Sequence, residues 1–278
     1  RPIRAPYLIE SAQFIACHQF QFLGRIDVLR LAARGATFLL NSPYGPTEVW
    51  AKLPHAMQRR IIDQELRFFV IDASRVARDL GLGSHVNTVL QTCFFALSGV
   101  LPRDEAIERI KHAIEESYAL KGPDIVRKNF EAVDHTLAAL AEVEVPGSTS
   151  GGLEPAPIVP PTAPVFVHEV TVPIMIGRGD DLPVSRLPVD GSFPTGTAAW
   201  EKRNIADTVP DWQAELCIQC GQCSFVCPHS VIRAKHFPSA ALKDAPDTFQ
   251  SRPINARGFP DVRFALGFYL EDCTGCGL

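Results

Sequence analysis

The chain has 278 residues, 46% of them hydrophobic and 21% charged, with a formal net charge of -4. That balance is ordinary for a globular protein of about two domains and offers no general attraction to nucleic acid. The longest mostly apolar stretch, "VNTVLQTCFFALSGVL", is broken by Asn87, Gln91 and Ser98 and falls short of the ~20 residues that cross a bilayer, so no membrane role is expected.

Two early runs, "ATFLLNS" (36–42) and "LRFFVIDAS" (66–74), stay apolar for several residues before meeting turn formers, the pattern of strands buried on both faces. A parallel α/β sheet is the expectation. "RVARDLGLG" predicts a short helix ending at Gly81 or Gly83, and "VNTVLQTCFFALSGV" a buried one. Pro102 and an acidic first turn open a helix in "PRDEAIERIKHAIEESY", with Ala106, Ile107, Ile110, Ala113 and Ile114 on one face. Another starts near Pro123 and carries Val126, Phe130, Val133, Leu137 and Leu140 at helical spacing. Cys17 and Cys93 lie in apolar runs and read as small core hydrophobes.

From Glu144 to Pro164 the chain is dominated by Pro and Gly, which predicts an extended linker. Beyond it, short β-prone runs among Gly and Pro, with few helix signals, predict a small irregular connecting module. The final segment, from about Val209, holds most of the cysteines.

There, "CIQCGQCSFVCPHSVIRAK" (217–235) reads C-x2-C-x2-C-x3-C-P, and "EDCTGCGL" begins the pattern again. Six of eight cysteines in two tight groups argue against a disulfide framework and for metal-bound thiolates in a reducing, cytoplasmic setting. Cys217, Cys220 and Cys223 come from one stretch of turn and suit three corners of a [4Fe–4S] cube. In two-cluster ferredoxins the last cysteine of such a run serves the other cluster, so Cys227 is expected beside Cys273 and Cys276. Gly221 relieves crowding near the cluster, and Pro228 turns the chain away. Structural zinc also uses C-x2-C pairs, usually with a longer loop between them. Two four-iron clusters need eight thiolates and six are present. With Arg rather than Met at residue 1, the expectation is an internal piece of a longer polypeptide, with two more cysteines and a proline beyond Leu278. Arg233 and Lys235 follow the motif and are placed to steer an acidic electron acceptor.

The phrases "ACHQFQFLGRIDVL", "GATFLLNSPYGPTEVW", "VNTVLQTCFFALSGVLPRDEAIERIK", "GRGDDLPVSRLPVDGSFPTGTAAWEKRNIA" and "LCIQCGQCSFVCPHSVIRAK" together resemble the pyruvate:ferredoxin (flavodoxin) oxidoreductases. The resemblance implies a truncated parallel-sheet gamma domain over 1–146, a linker over 147–165, and a connecting module over 166–208. Residues 209–278 would then be the N-terminal part of a two-cluster, bacterial-ferredoxin-like α+β domain. It implies an enzyme that converts pyruvate and coenzyme A to acetyl-CoA and carbon dioxide with thiamine diphosphate and Mg2+, reduces ferredoxin or flavodoxin, and works as a homodimer. The thiamine and pyruvate sites would lie in other domains of the same polypeptide, so this piece alone is not expected to be active. Candidate coenzyme A contacts are Asn41 and Ser42, at the carboxyl end of a predicted strand where open α/β sheets bind ligands, and Lys202 and Arg203 of "AWEKRN". The plainer readings are a local turn and a solvated charge pair. A stand-alone iron-sulfur electron-transfer subunit and a zinc-stabilised interaction module are the competing assignments for the chain.

Overall fold

A computed structural model describes residues 8–83, 85–152, 154–206 and 208–278. Residues 1–187 and 188–278 form two compact units.

The first unit is α/β. Strands β1 (Ala12–Cys17), β2 (Ala32–Asn41), β3 (Arg67–Ile71) and β4 (Ala141–Glu142) lie in the order β1-β2-β3-β4. The first three are parallel, with Leu40 opposite Val70, and β4 is antiparallel to β3. The apolar runs that predicted two-faced burial separate cleanly by alternation. Phe38, Leu40, Phe68 and Val70 face one side, against Val49, Trp50, Leu53 and Ile61. Leu39, Phe69 and Ile71 face the other, against Val76, Val89, Leu90, Cys93 and Ala132. Phe38 and Phe68 stack with ring centroids 5.2 Å apart. Strand β2 begins four residues before the predicted start, because "AARG" is carried into the ladder across an irregular register, with Gly35 at φ 72°.

Helix α1 (His55–Asp63) covers the first face, while α2 (Ala73–Asp79) and α3 (Asn87–Ser98) cover the second. Asp72 caps α2 by accepting from the Arg75 N–H at 2.8 Å, and Gly99, in the left-handed region, closes α3. Helices α4 (Arg103–Tyr118) and α5 (Pro123–Ala139) pack together through Ile110, Ile114 and Val133. Ala113, placed on that face by spacing, is exposed. The buried side of α5 includes polar groups that apolar periodicity passes over: the Thr88 hydroxyl donates to Asn129 Oδ1 at 2.8 Å, and Thr136 donates to its own helix at Ala132.

The Pro/Gly-rich stretch is irregular among its described residues, yet it is docked rather than free. Gln58, fully buried, donates to the Ser150 carbonyl at 3.1 Å and accepts from its N–H at 3.0 Å, and Val159 and Ala163 are buried. After it, "VHEVT" and "VPIM" form a π-helical turn (Val167–Thr171) continued by α6 (Val172–Met175), where β-prone residues led to a different expectation. Burial of Val167 and Val170 outweighs the modest helix cost of β-branched side chains.

In the second unit, helix α7 (Gln222–Val226) precedes an antiparallel sheet of β5 (Ile232–Pro238), β6 (Arg252–Pro253) and β7 (Val262–Phe268), ordered β5-β7-β6. Its small core centres on Phe264, whose ring meets that of Trp212 edge to face.

Candidate iron-sulfur centre

The two C-x2-C pairs fold as one turn used twice. Each is delivered by a short 3-10 turn, Ala214–Leu216 before Cys217 and Leu270–Asp272 before Cys273. In each, the sulfur of the first cysteine accepts the backbone N–H two residues on, from Gln219 to Cys217 and from Gly275 to Cys273, both at 3.4 Å. That residue is left-handed in both copies, Gln219 at φ 60° and Gly275 at φ 64°. So is the glycine after the second cysteine, Gly221 at 76° and Gly277 at 74°. Left-handed residues of this kind curl the chain so that successive N–H groups face one side, which makes a nest for an anion such as a thiolate. The first turn is further tied to the sheet by Gln219, whose amide donates to Pro253 O and accepts from Asn255 N–H, both at 2.8 Å.

Cys227 leaves the end of α7 in extended conformation, and its sulfur accepts the Val231 N–H at 3.2 Å. Burial raises its pKa, but the N–H groups of Ile232, His229, Val231 and Ser230 together outweigh that and hold the thiol below its ordinary range. Cys227, Cys273 and Cys276 line one cavity of about 280 Å3, whose remaining walls include Val226 and Ile232. The last cysteine of the first motif thus meets the second motif. Cys223, one turn earlier on α7, reaches the same lining, although spacing assigns it to the other cluster; Cys217 and Cys220 lie outside it. No three His, Cys, Asp or Glu side chains converge on a single-ion point among the described residues; what Cys223, Cys227, Cys273 and Cys276 share is this space.

The other sequence candidates have partners of their own. Asn41 donates to His18 O at 3.0 Å and accepts from the Ala73 N–H at 2.9 Å, joining β1 to the start of α2. Ser42 is buried, and its hydroxyl accepts from the Tyr44 N–H at 3.0 Å. Lys202 lies 2.9 Å from Asp272, beside Cys273, and the Arg203 backbone N–H donates to Glu271 O. Cys17 and Cys93 are core residues, their thiols pushed by burial up to about 11 and about 12.

A family model described as pyruvate ferredoxin/flavodoxin oxidoreductase matches residues 1–139, half of the chain. The chain belongs to the pyruvate ferredoxin/flavodoxin oxidoreductase family. A 4Fe-4S binding domain model matches 209–232, which holds Cys217, Cys220, Cys223 and Cys227, and a domain of unknown function matches 152–206. Relatives in this oxidoreductase family align along the whole chain. The pyruvate-flavodoxin oxidoreductase of Rhodospirillum rubrum is 52% identical over 100% of this chain and 23% of its own length. That of Nostoc sp. is 49% identical over 100% and 24%. The pyruvate:ferredoxin oxidoreductase of Moorella thermoacetica is 42% identical over 100% and 24%. The chain therefore spans about a quarter of the length of the curated relatives it matches.

Proposed function

We propose that this chain is the electron-conducting portion, and part of the coenzyme A-binding portion, of an enzyme that oxidises pyruvate. Cys217, Cys220, Cys223, Cys227, Cys273 and Cys276 are its iron ligands, shared between two [4Fe–4S] clusters. The observation that carries the reading is the meeting of Cys227 with Cys273 and Cys276 at one cavity, on turns whose N–H groups address sulfur. In the whole reaction, pyruvate and the coenzyme A thiol become acetyl-CoA and carbon dioxide, releasing a proton and a pair of electrons. Bound clusters supply one-electron steps at a potential set by net charge, hydrogen bonds to sulfur and solvent exposure. The chain's own part is to present thiolates, donate N–H groups to them, and line the space with apolar side chains that keep water out.

Thiamine diphosphate and Mg2+ belong, in this reading, to parts of the polypeptide outside these residues, and ferredoxin or flavodoxin takes the electrons. For coenzyme A, Asn41 and Ser42 stand at the carboxyl end of β2, where ligand loops occur, and would exchange backbone partners for the ligand. Lys202 and Arg203 are less suited, since Lys202 is already paired with Asp272. A reducing, cytoplasmic setting accords with eight free cysteines, and no described helix is long and apolar enough to cross a membrane.

Anaerobic purification followed by iron, acid-labile sulfide and zinc analysis tests the ligand set. Iron and sulfide in equal amounts are expected, with visible absorbance that bleaches on reduction and a cluster's share lost in Cys227→Ala. Zinc without iron would sink the proposal.

A further inference from the structure

We propose that residues 202–206 and 208 form a strap that fixes the shape of the second cysteine turn, with Lys202 as its positioning residue. Residues 202–206 end the stretch matched by the domain of unknown function. It rests on the reading of Cys273 and Cys276 as iron ligands.

Three contacts converge on the turn from the same few residues. The backbone N–H groups of Arg203 and Asn204 both donate to Glu271 O, at 2.9 and 2.8 Å, and the chain leaves this contact through Asn204 at φ 50°. Lys202 Nζ lies 2.9 Å from Asp272 Oδ2, with the two side chains only 25% and 32% exposed. An exposed pair such as Arg178–Asp181, at 55% and 45%, is largely screened, whereas this one works with less water around it. Finally, a Cβ on Gly275 would come within 3.3 Å of Thr208 O and 3.6 Å of Ala206. The strap therefore touches residues on both sides of Cys273.

The first turn provides an internal comparison. Its residue equivalent to Gly275 is Gln219, which carries a full side chain in the same backbone conformation and uses it to brace the turn against Pro253 and Asn255. At the second turn that position is backed by the chain at Ala206 and Thr208, and a side chain there would press on the Thr208 carbonyl. Both turns are held from outside at the carbonyl two residues before their first cysteine, Glu215 O by the Arg252 guanidinium at 2.6 Å and Glu271 O by the strap; only the first adds a brace from its own side chain.

Partners beyond the ligands orient them, and losing such a partner typically costs about 10-fold or more in metal retention. The test is anaerobic bleaching of the purified protein by an iron chelator, followed in the visible. The phase missing in Cys273→Ser identifies the second cluster. Lys202→Met and Asp272→Asn are expected to speed that phase about tenfold and leave the others at their wild-type rates, with Lys202→Arg restoring it. Wild-type bleaching in both variants would overturn the strap, and so would equal acceleration of every phase, which marks general loosening. If Cys273→Ser keeps every phase and all its iron, the ligand assignment itself has failed and the strap falls with it.

Discussion

Gly275 and Gln219 hold the same left-handed backbone, and the difference between them predicts how each tolerates change. Gly275→Ala places a Cβ against a carbonyl oxygen at 3.3 Å and adds the ~1–2 kcal/mol that a left-handed conformation costs an L-residue. Thermal unfolding monitored by cluster absorbance should shift to lower temperature, whereas a Gly at position 219 relieves the backbone and loses only the side-chain bonds. At this scale C-x2-C-x2-C-x3-C-P marked out the proposed iron ligands and set the last of them apart from the first three; the cavity that Cys227 lines with Cys273 and Cys276 is lined by Cys223 as well. The strap was not legible, because Lys202 and Asp272 are 70 positions apart and charge pairs at that range leave no periodic trace. A signal existed nonetheless in "CIQCG" beside "CTGCG", where only the second copy has glycine before its closing cysteine.

Strand β5 sits at an edge of its sheet and exposes Arg233, Ala234, Lys235 and His236. Arg233 and Lys235, two apart, share a face, and the Arg233 guanidinium lies over the Tyr269 ring at 5.1 Å. Positive charge on an open strand a few residues from Cys227 is suited to drawing in an acidic electron acceptor. The double reversal Arg233→Glu with Lys235→Glu should slow acceptor reduction and flatten its dependence on ionic strength, measured as rate against salt; an unchanged salt profile would count against steering. Elements of the first unit were readable because their signals are strong: two-sided apolar runs for β2 and β3, and a proline with acidic residues opening α4. Where signals were weak, packing decided. "VHEVTVPIM" became helical because Val167 and Val170 found a buried surface, and the Pro/Gly stretch docked because Gln58 offered both halves of an amide to Ser150.

Across the whole molecule, the division into residues 1–187 and 188–278 separates chemistry of different kinds. The first unit buries its thiols deep, with Cys17 raised by desolvation from 9.0 to about 11 and Cys93 to about 12. Between pH 9.0 and about 11 the unfolded thiols lose protons while the folded ones keep them. Folded-state pKa values above the unfolded value mean stability that is complete below pH 9.0 and falls as pH rises, on the order of 1 kcal/mol per pH unit for each thiol. Denaturant unfolding of the first unit across that window should show the decline, and the double variant Cys17→Ala with Cys93→Ala should flatten it. The second unit brings four of its thiols, Cys223, Cys227, Cys273 and Cys276, to one space instead, and it begins at Pro188, upstream of the cysteine motif and including Lys202. Transplanting the second turn into another scaffold therefore takes more than the hexapeptide around its cysteines. A graft lacking Lys202 through Ala206 and Thr208 would have the right sulfurs and nothing behind them.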